Sequence, residues 1–366
     1  SDMLLNYITS GLPDLDVHHV GQMRMDTFFQ YMLQKQWKAR FQAVTMHSGL
    51  QFRNGLSYIE ALEQFLVRKR EQILPIADVW DEEIGVVLSA QSMEDIVYRN
   101  ANQSIVYLLK LCNERILKRI TLLTHDEERE LRAEKRKQFR NYFGQGYKKE
   151  SALEIYLDFL IPYAEQMAKT GIEVDFRSLA AIQKGKLDVY DMAAMALIWK
   201  RCLAQEEWEP FGQIIIDEAQ DFGVMIYDVL HKLMPHAYFT IMGDVSQNVN
   251  YDTGMNSWED LRNCVFNGER DGFYLLSKSY RNTIEISTYA GSVLEQASSG
   301  AYKIDPVIRH GMEVQFCRRL KEADCVSLIP VIAEEMKGRQ HETIAVVVKT
   351  NEEAMRLRKM LETEME

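Results

Sequence analysis

The sequence predicts an α/β fold: a parallel-sheet domain interrupted by a long, all-helical insertion, followed by the beginning of a second α/β unit. Two patterns carry that expectation. From about residue 186 onward, short unbroken apolar runs such as Gln213-Ile214-Ile215-Ile216 and Tyr238-Phe239-Thr240-Ile241-Met242 alternate with helical stretches. Strands covered on both faces by crossover helices read this way. Between residues 30 and 180 the pattern is instead helical nearly throughout. Residues 1–29 and 181–280 are therefore expected to form the first domain, 30–180 the helical insertion, and 281–366 the start of the second.

Taken in order, residues 3–29 open with a helix (Met3, Leu4, Leu5, Tyr7, Ile8), a stop at Gly11-Leu12-Pro13 and a short strand from Val17 to Val20. Three capping-box patterns then punctuate the helical stretch: Ser92 to Asp95, Thr124 to Glu127, and Ser151 to Glu154. In each, a hydroxyl can accept from an orphan amide while a carboxylate three residues on reaches back. The Thr124 pattern breaks one long helix into a hairpin. Its first limb carries the apolar stripe Ile105, Leu108, Leu109, Cys112, Ile116, Ile120 and Leu123, and Gly144-Gln145-Gly146 ends the second. Asp191 to Cys202 is expected to be helical. The runs Phe273–Leu276, Val314–Cys317 and Ile344–Val348 are expected to be strands of the second unit.

Composition narrows the function. A chain of 366 residues with 46% hydrophobic residues can bury two or three cores at roughly 100–200 residues each. A net charge of −11 makes any nucleic-acid contact local. Five cysteines without a CxxC pair suggest neither a zinc site nor a disulfide framework and fit a reducing, cytoplasmic setting. No apolar run approaches the ~18 residues of a membrane span, and no signal peptide opens the chain.

The chemistry concentrates at strand ends. In Ile214-Ile215-Ile216-Asp217-Glu218-Ala219-Gln220-Asp221 an apolar strand ends in two adjacent carboxylates. At the C-terminal edge of a parallel sheet, one carboxylate can hold Mg²⁺ and its neighbour can orient or deprotonate a water. The plainer alternative is a pair of acids that close a strand and open the next helix. A second strand ends in Met242-Gly243-Asp244-Val245-Ser246-Gln247, with Gly243 26 positions after Asp217. That spacing is one helix-strand unit, so the two turns should lie side by side. A third signal is Ser279-Tyr280-Arg281-Asn282 before a helix starting near Thr283. Its tyrosine can stack on a base and its arginine can reach a phosphate.

In this order the three elements resemble the DEAQD, GDxxQ and YR motifs of UvrD/Rep-type superfamily-one helicases, over roughly residues 186–294. The resemblance implies a RecA-like motor domain, the start of a second RecA-like domain, and ATP with Mg²⁺ as cofactors. It implies that Asp217 binds Mg²⁺, Glu218 activates water, and Gln220 and Gln247 sense the γ-phosphate. Asp244 would line the nucleotide, Tyr280 would stack on adenine and Arg281 would reach the γ-phosphate. The start, Leu4 to Pro13, is similar to the segment after the phosphate loop in the helicase IV-like HelD branch, whose members associate with bacterial RNA polymerase. The long helical insertion fits that branch. There is no GxxxxGK[ST] in the chain, nor are the family's late motifs present. The resemblance therefore implies a truncated, inactive piece of a larger ATP hydrolase.

Three functions follow as alternatives: an ATP-dependent DNA helicase or translocase, an ATP-driven factor that releases RNA polymerase, or a non-catalytic interaction protein with a decayed motor. The family also places a DNA-stacking aromatic after GDxxQ, for which Tyr251 and Trp258 are both candidates. Between residues 115 and 140, nine Lys or Arg face five acids. That run reads either as a solvated helix face or as a contact for nucleic acid or an acidic partner surface.

Overall fold

A computed structural model describes residues 20–125, 127–144, 150–205, 210–297, 305–316, 322–339 and 343–364. The expected first helix, its Gly11-Leu12-Pro13 stop and most of the Val17–Val20 strand lie outside the described residues. The chain divides into two compact units, residues 1–274 and 275–366, a little before the boundary expected between 280 and 281.

The first unit contains α1 (Met25–Tyr31), β1 (Gln42–Ala43), α2 (Leu56–Ile73), β2 (Val79–Asp81), β3 (Gly85–Leu88), α3 (Ala90–Arg99), α4 (Ile105–Leu123) and α5 (Arg129–Gln138). It continues through α6 (Ala152–Lys169), α7 (Phe176–Gln183), β4 (Lys186–Leu187), α8 (Val189–Ile198), β5 (Gln213–Ile216), α9 (Val224–Leu233) and β6 (Tyr238–Ile241). β1 pairs parallel with β4, and β5 pairs parallel with β6. The architecture is thus mixed helix and sheet with short parallel strands. Among the described residues no helix is long and apolar enough to cross a membrane.

All ten residues of α8 are buried. A helix that is apolar all round has to be enclosed, and α8 packs against α1, α6 and α9. In α4 six of the seven stripe residues, Ile105, Leu108, Leu109, Cys112, Ile116 and Ile120, are buried and Leu123 is half-buried; each buried leucine or isoleucine is worth about 1.5–3 kcal/mol.

Several expectations need correction. The stretch from 30 to 180 is not all helix, because β2 and β3 form an antiparallel hairpin. The first capping pattern is displaced by one turn. Ser89, not Ser92, caps α3 and accepts from the Ser92 amide, while Asp78 takes the amide of Ala90 at 2.7 Å and fixes the helix start. Thr124 ends a helix instead of beginning one. Its hydroxyl donates to the Ile120 carbonyl and accepts from Arg132, and α5 starts only at Arg129, with Glu128 before it. The break at Thr124 stands all the same, and α4 and α5 pack together. The Ser151–Glu154 capping box is present in full.

The stretch from 30 to 180 is joined to the core by buried polar contacts. Arg53, only 1% exposed, donates to Asp188 at 2.7 Å and also to Asp191. Tyr58 donates to Tyr156 at 3.1 Å, and Tyr156 donates to Asp191 at 2.7 Å. Trp37 and Trp199 stack with centroids 3.9 Å apart and planes 6° from parallel.

In the second unit β7 (Lys278–Ser279) pairs parallel with β8 (Asp305–Pro306), beside helices α10 (Ile284–Ala297), α11 (Glu322–Gly338) and α12 (Asn351–Glu364). α10 begins at Ile284, one residue after the expected Thr283, whose hydroxyl accepts from the Ile286 amide. The apolar runs at 273–276, 314–316 and 344–348 are not strands among the described residues. Leu276 is 95% and Val347 89% exposed, and an apolar run becomes a strand only where a neighbouring strand takes up its backbone groups.

The cluster around Arg53 gives a pH signature. Burial pushes the Asp191 carboxyl up to about 6, with the Arg53 guanidinium opposing and the charge of Asp188 adding. Burial also raises Asp188, but the Arg53 guanidinium and its hydrogen bonds outweigh that and hold Asp188 below its usual value. A raised folded-state value means that Asp191 contributes stability below the ordinary carboxylate range and loses it as pH rises through about 6. Asp188 acts oppositely, losing its contribution only as pH falls below that range. The expected result is a melting temperature for Asp191→Asn that declines less steeply between pH 4.5 and 7 than that of the unaltered chain. Parallel melting curves across that interval would exclude Asp191 as the titrating group.

Candidate active site

The site is assembled where β5 and β6 end. Their register aligns Ile216 with Ile241. Just past the strands, Ala219 donates to the Met242 carbonyl at 2.9 Å and Met242 to the Ile216 carbonyl at 2.8 Å. The turns after the two strands therefore lie against each other, as the spacing predicts. Gly243 makes the contact possible, since a Cβ there would sit 2.5 Å from Gln220 Oε1 and 2.8 Å from the Ala219 nitrogen.

Gln220 joins the two turns. Its side chain is buried, donating through Nε2 to Glu218 Oε2 at 2.7 Å and accepting through Oε1 from the Asp244 amide at 2.9 Å. Asp217 and Glu218 are both exposed at the edge. Asp217 Oδ1 accepts the Glu218 amide at 2.9 Å, and Oδ2 has no partner among the described residues. Glu218 adopts a left-handed backbone, φ 53° and ψ 42°, which costs a non-glycine residue on the order of 1 kcal/mol. Strain of this kind persists where surrounding contacts over-determine it. Here the Gln220 bridge and the buried Ala219, whose carbonyl accepts from the Tyr227 hydroxyl, supply those contacts. Burial raises the Asp221 carboxyl above its usual value, and the Glu218 charge adds to the effect.

Asp244 is committed locally, Oδ1 accepting from the Ser246 amide at 2.9 Å and Oδ2 from Gln247 Nε2 at 2.8 Å. Gln247 thus points back at its own turn. Asp217, Glu218, Gln220, Asp244 and Gln247 are all brought together. Tyr280 and Arg281 lie in the second unit, both exposed, and the Arg281 carbonyl accepts from Arg309.

The two candidate aromatics separate cleanly. Trp258 is 8% exposed and its ring lies against Phe273 at 6.3 Å, which makes it a core residue. Tyr251 is 73% exposed on the loop after the second turn, next to Val249 at 87%.

A second polar cluster has no forecast in the motifs. His47, Asp188 and Asp191 have ligand-type atoms within 4.8 Å of one another. Their carboxylate oxygens are already engaged: Asp188 by Arg53 and the amides of His47, Tyr190 and Asp191; Asp191 by Arg53, Tyr156 and the Asp188 amide. With a guanidinium in the cation's place, this is a structural ion cluster. Part of it was legible, since Asp188 and Asp191 form a full capping box at the start of α8. Arg53 carries no local signal of this role, its carboxylate partners lying more than a hundred residues away.

What the edge can do chemically follows from its donors. Mg²⁺ prefers one or two carboxylates and water over a full protein cage, and exposed Asp217 offers one such oxygen. Glu218 is the neighbouring carboxylate able to take a proton. A model of the UvrD/REP helicase N-terminal domain matches residues 17–251, whereas no curated protein matches the chain. Helicases of this type use ATP and Mg²⁺ and act on nucleic acid. The match spans the residues of both strand-end turns and well over half of the sequence, and the chain belongs to the UvrD/REP helicase family.

Proposed function

We propose that this chain carries the metal and water-activating side of an ATP-dependent DNA helicase or translocase, on a RecA-like domain that accommodates the helical stretch between β1 and β4. The observation that carries the reading is the Gln220 bridge between Glu218 and the Asp244 turn. One glutamine touching both strand-end turns is suited to report a change at one to the other.

In this reading Asp217 holds Mg²⁺, which neutralises phosphate charge when bound. Glu218 takes the proton of the attacking water on its carboxylate, and Gln220 orients that carboxylate. Gln247 leaves Asp244 to meet the γ-phosphate, and Tyr280 and Arg281 keep the adenine-stacking and phosphate-contacting roles that the family resemblance implies. The loop after β6 presents Tyr251 to a nucleic-acid base.

A second reading, an RNA polymerase-releasing factor of the HelD type, draws support from the helical stretch itself. Of its basic residues, Arg132 and Lys135 are committed to internal partners. Arg115, Lys118, Arg119, Arg129, Lys137 and Arg140 are exposed on α4, α5 and the turn after them, a cationic face able to meet an acidic surface. Affinity capture with this chain, followed by mass spectrometry, separates the readings. Polymerase subunits at near-stoichiometric yield favour release.

Three outcomes test the site. Because the chain contains no GxxxxGK[ST], it should release no phosphate from ATP above background by itself. In a protein that carries these residues together with a phosphate loop, Glu218→Gln should keep nucleotide binding yet lower hydrolysis by at least about 100-fold. Normal turnover by that variant would remove Glu218 from its role. Tyr251→Ala should weaken binding of a dT oligonucleotide at least about fivefold, in line with ~1–3 kcal/mol per stacked base. Fluorescence anisotropy reads it, and unchanged affinity would count against base stacking.

A further inference from the structure

Tyr190, the second residue of α8, is buried at 2% exposure, and its hydroxyl meets two segments at once. It accepts from the Gly223 amide at 2.8 Å, at the end of the acid-bearing turn that follows β5. It donates to the Thr253 carbonyl at 2.6 Å, in the loop that displays Tyr251. A phenol has one proton to give, and both of its roles here are spoken for. We propose that Tyr190 is a positioning residue: its hydroxyl sets the Asp217–Gly223 turn and the 248–255 loop at a fixed mutual distance, so that base contact at Tyr251 and the state of the Glu218–Gln220 pair are held in step. The proposal rests on the base-stacking reading of Tyr251 only for its functional consequence.

Other contacts show that the same two segments are meant to be clamped. The Met255 amide donates to the Gln220 carbonyl at 2.9 Å. Gly254 has no room for a side chain, since a Cβ there would collide with the Gln220 carbonyl oxygen. From the helical stretch Asn54 reaches across, its carbonyl accepting from Met225 at 3.1 Å and its amide donating to the Asp252 carbonyl at 2.7 Å. Asn54 follows Arg53, whose buried guanidinium is bound to Asp188 and Asp191 on either side of Tyr190 and lies 5.9 Å from the Tyr190 ring centroid. The clamp is thus seated on the buried ion cluster, and the loop bearing Tyr251 is exposed at its tip while its base is held by buried groups.

The test uses Tyr190→Phe, which keeps the ring and deletes only the hydroxyl. Its control is Tyr58→Phe, which deletes another buried hydroxyl, the one donated to Tyr156. Hydrogen exchange followed by mass spectrometry should show peptides covering 219–225 and 248–256 exchanging at least about tenfold faster in Tyr190→Phe. Peptides from α4 should be unchanged in both variants, and Tyr58→Phe should leave 219–225 and 248–256 unchanged. Affinity for a dT oligonucleotide should fall in Tyr190→Phe by a factor similar to that of Tyr251→Ala, and the double variant should lose little more.

Should Tyr190→Phe fold too poorly for measurement, Asn54→Ala removes the clamp from the other side and should speed exchange over 248–256. Unchanged exchange over these peptides in Tyr190→Phe, or an equal rise in Tyr58→Phe, would overturn the proposal. If Tyr251→Ala leaves DNA affinity intact, the base-stacking reading fails separately and the exchange result still decides the clamp.

Discussion

A guanidinium almost without access to water holds the first unit together. Arg53 is 1% exposed and shared between Asp188 and Asp191. Two carboxylates against one cation leave a net negative charge in the interior, which is tolerable only because every oxygen also accepts from an amide or the Tyr156 hydroxyl. Removing one partner of such a buried pair typically costs about 3–5 kcal/mol, because the remaining charge is stranded. The same ions fix three chain segments: the turn before α2, helix α6 through Tyr156, and the start of α8. Such a site adds little or no net stability over a well-packed apolar core, and its contribution here is register. It determines where the helical stretch meets the helix next to the candidate site.

Much of the fold was legible where a rule depends on neighbours in sequence. The α4 stripe and the Ser151–Glu154 box are set by residues three or four apart; the box formed as read, and so did the stripe up to Ile120. Where a cap departed from its expected place, the deciding contacts came from elsewhere. Ser89 caps α3 in place of Ser92, with Asp78 taking the Ala90 amide. Thr124 closes α4, held by Arg132 from the following helix, and that helix starts only at Arg129. The β2–β3 hairpin was missed because strands of three and four residues leave too little alternation to distinguish from a loop.

The candidate site was more legible than its support. Two apolar strands, each ending in an acid-bearing turn one helix-strand unit apart, are enough to place Asp217, Glu218 and Asp244 side by side, since parallel pairing aligns the strand ends. Gln220 could be named from its motif, but its double contact depends on Gly243 letting the second turn come within van der Waals reach. Tyr190 and Asn54 could not be named at all. Each acts on backbone groups more than thirty residues away, and backbone acceptors leave no trace in side-chain identity.

The distribution of exposure along the chain then separates scaffold from working surface. α8 is enclosed on every side, whereas one face of the β5–β6 pair is open, with Ile215 62% and Tyr238 78% exposed. Asp217, Glu218, Asp244, Gln247 and Tyr251 are all exposed, yet buried groups anchor their segments: Ala219 and Gln220 on the first turn, Gln220 again through the Asp244 amide on the second, and Gly254 and Met255 on the loop. An exposed carboxylate or aromatic ring is free to meet a ligand, but it meets one reproducibly only if its backbone cannot drift. The alternation of exposed functional residues with buried anchors supplies that rigidity without burying the functional groups themselves. A chain of net charge −11 gains little long-range attraction for a polyanion. Contact with nucleic acid must then rest on such short-range, well-anchored groups rather than on overall charge.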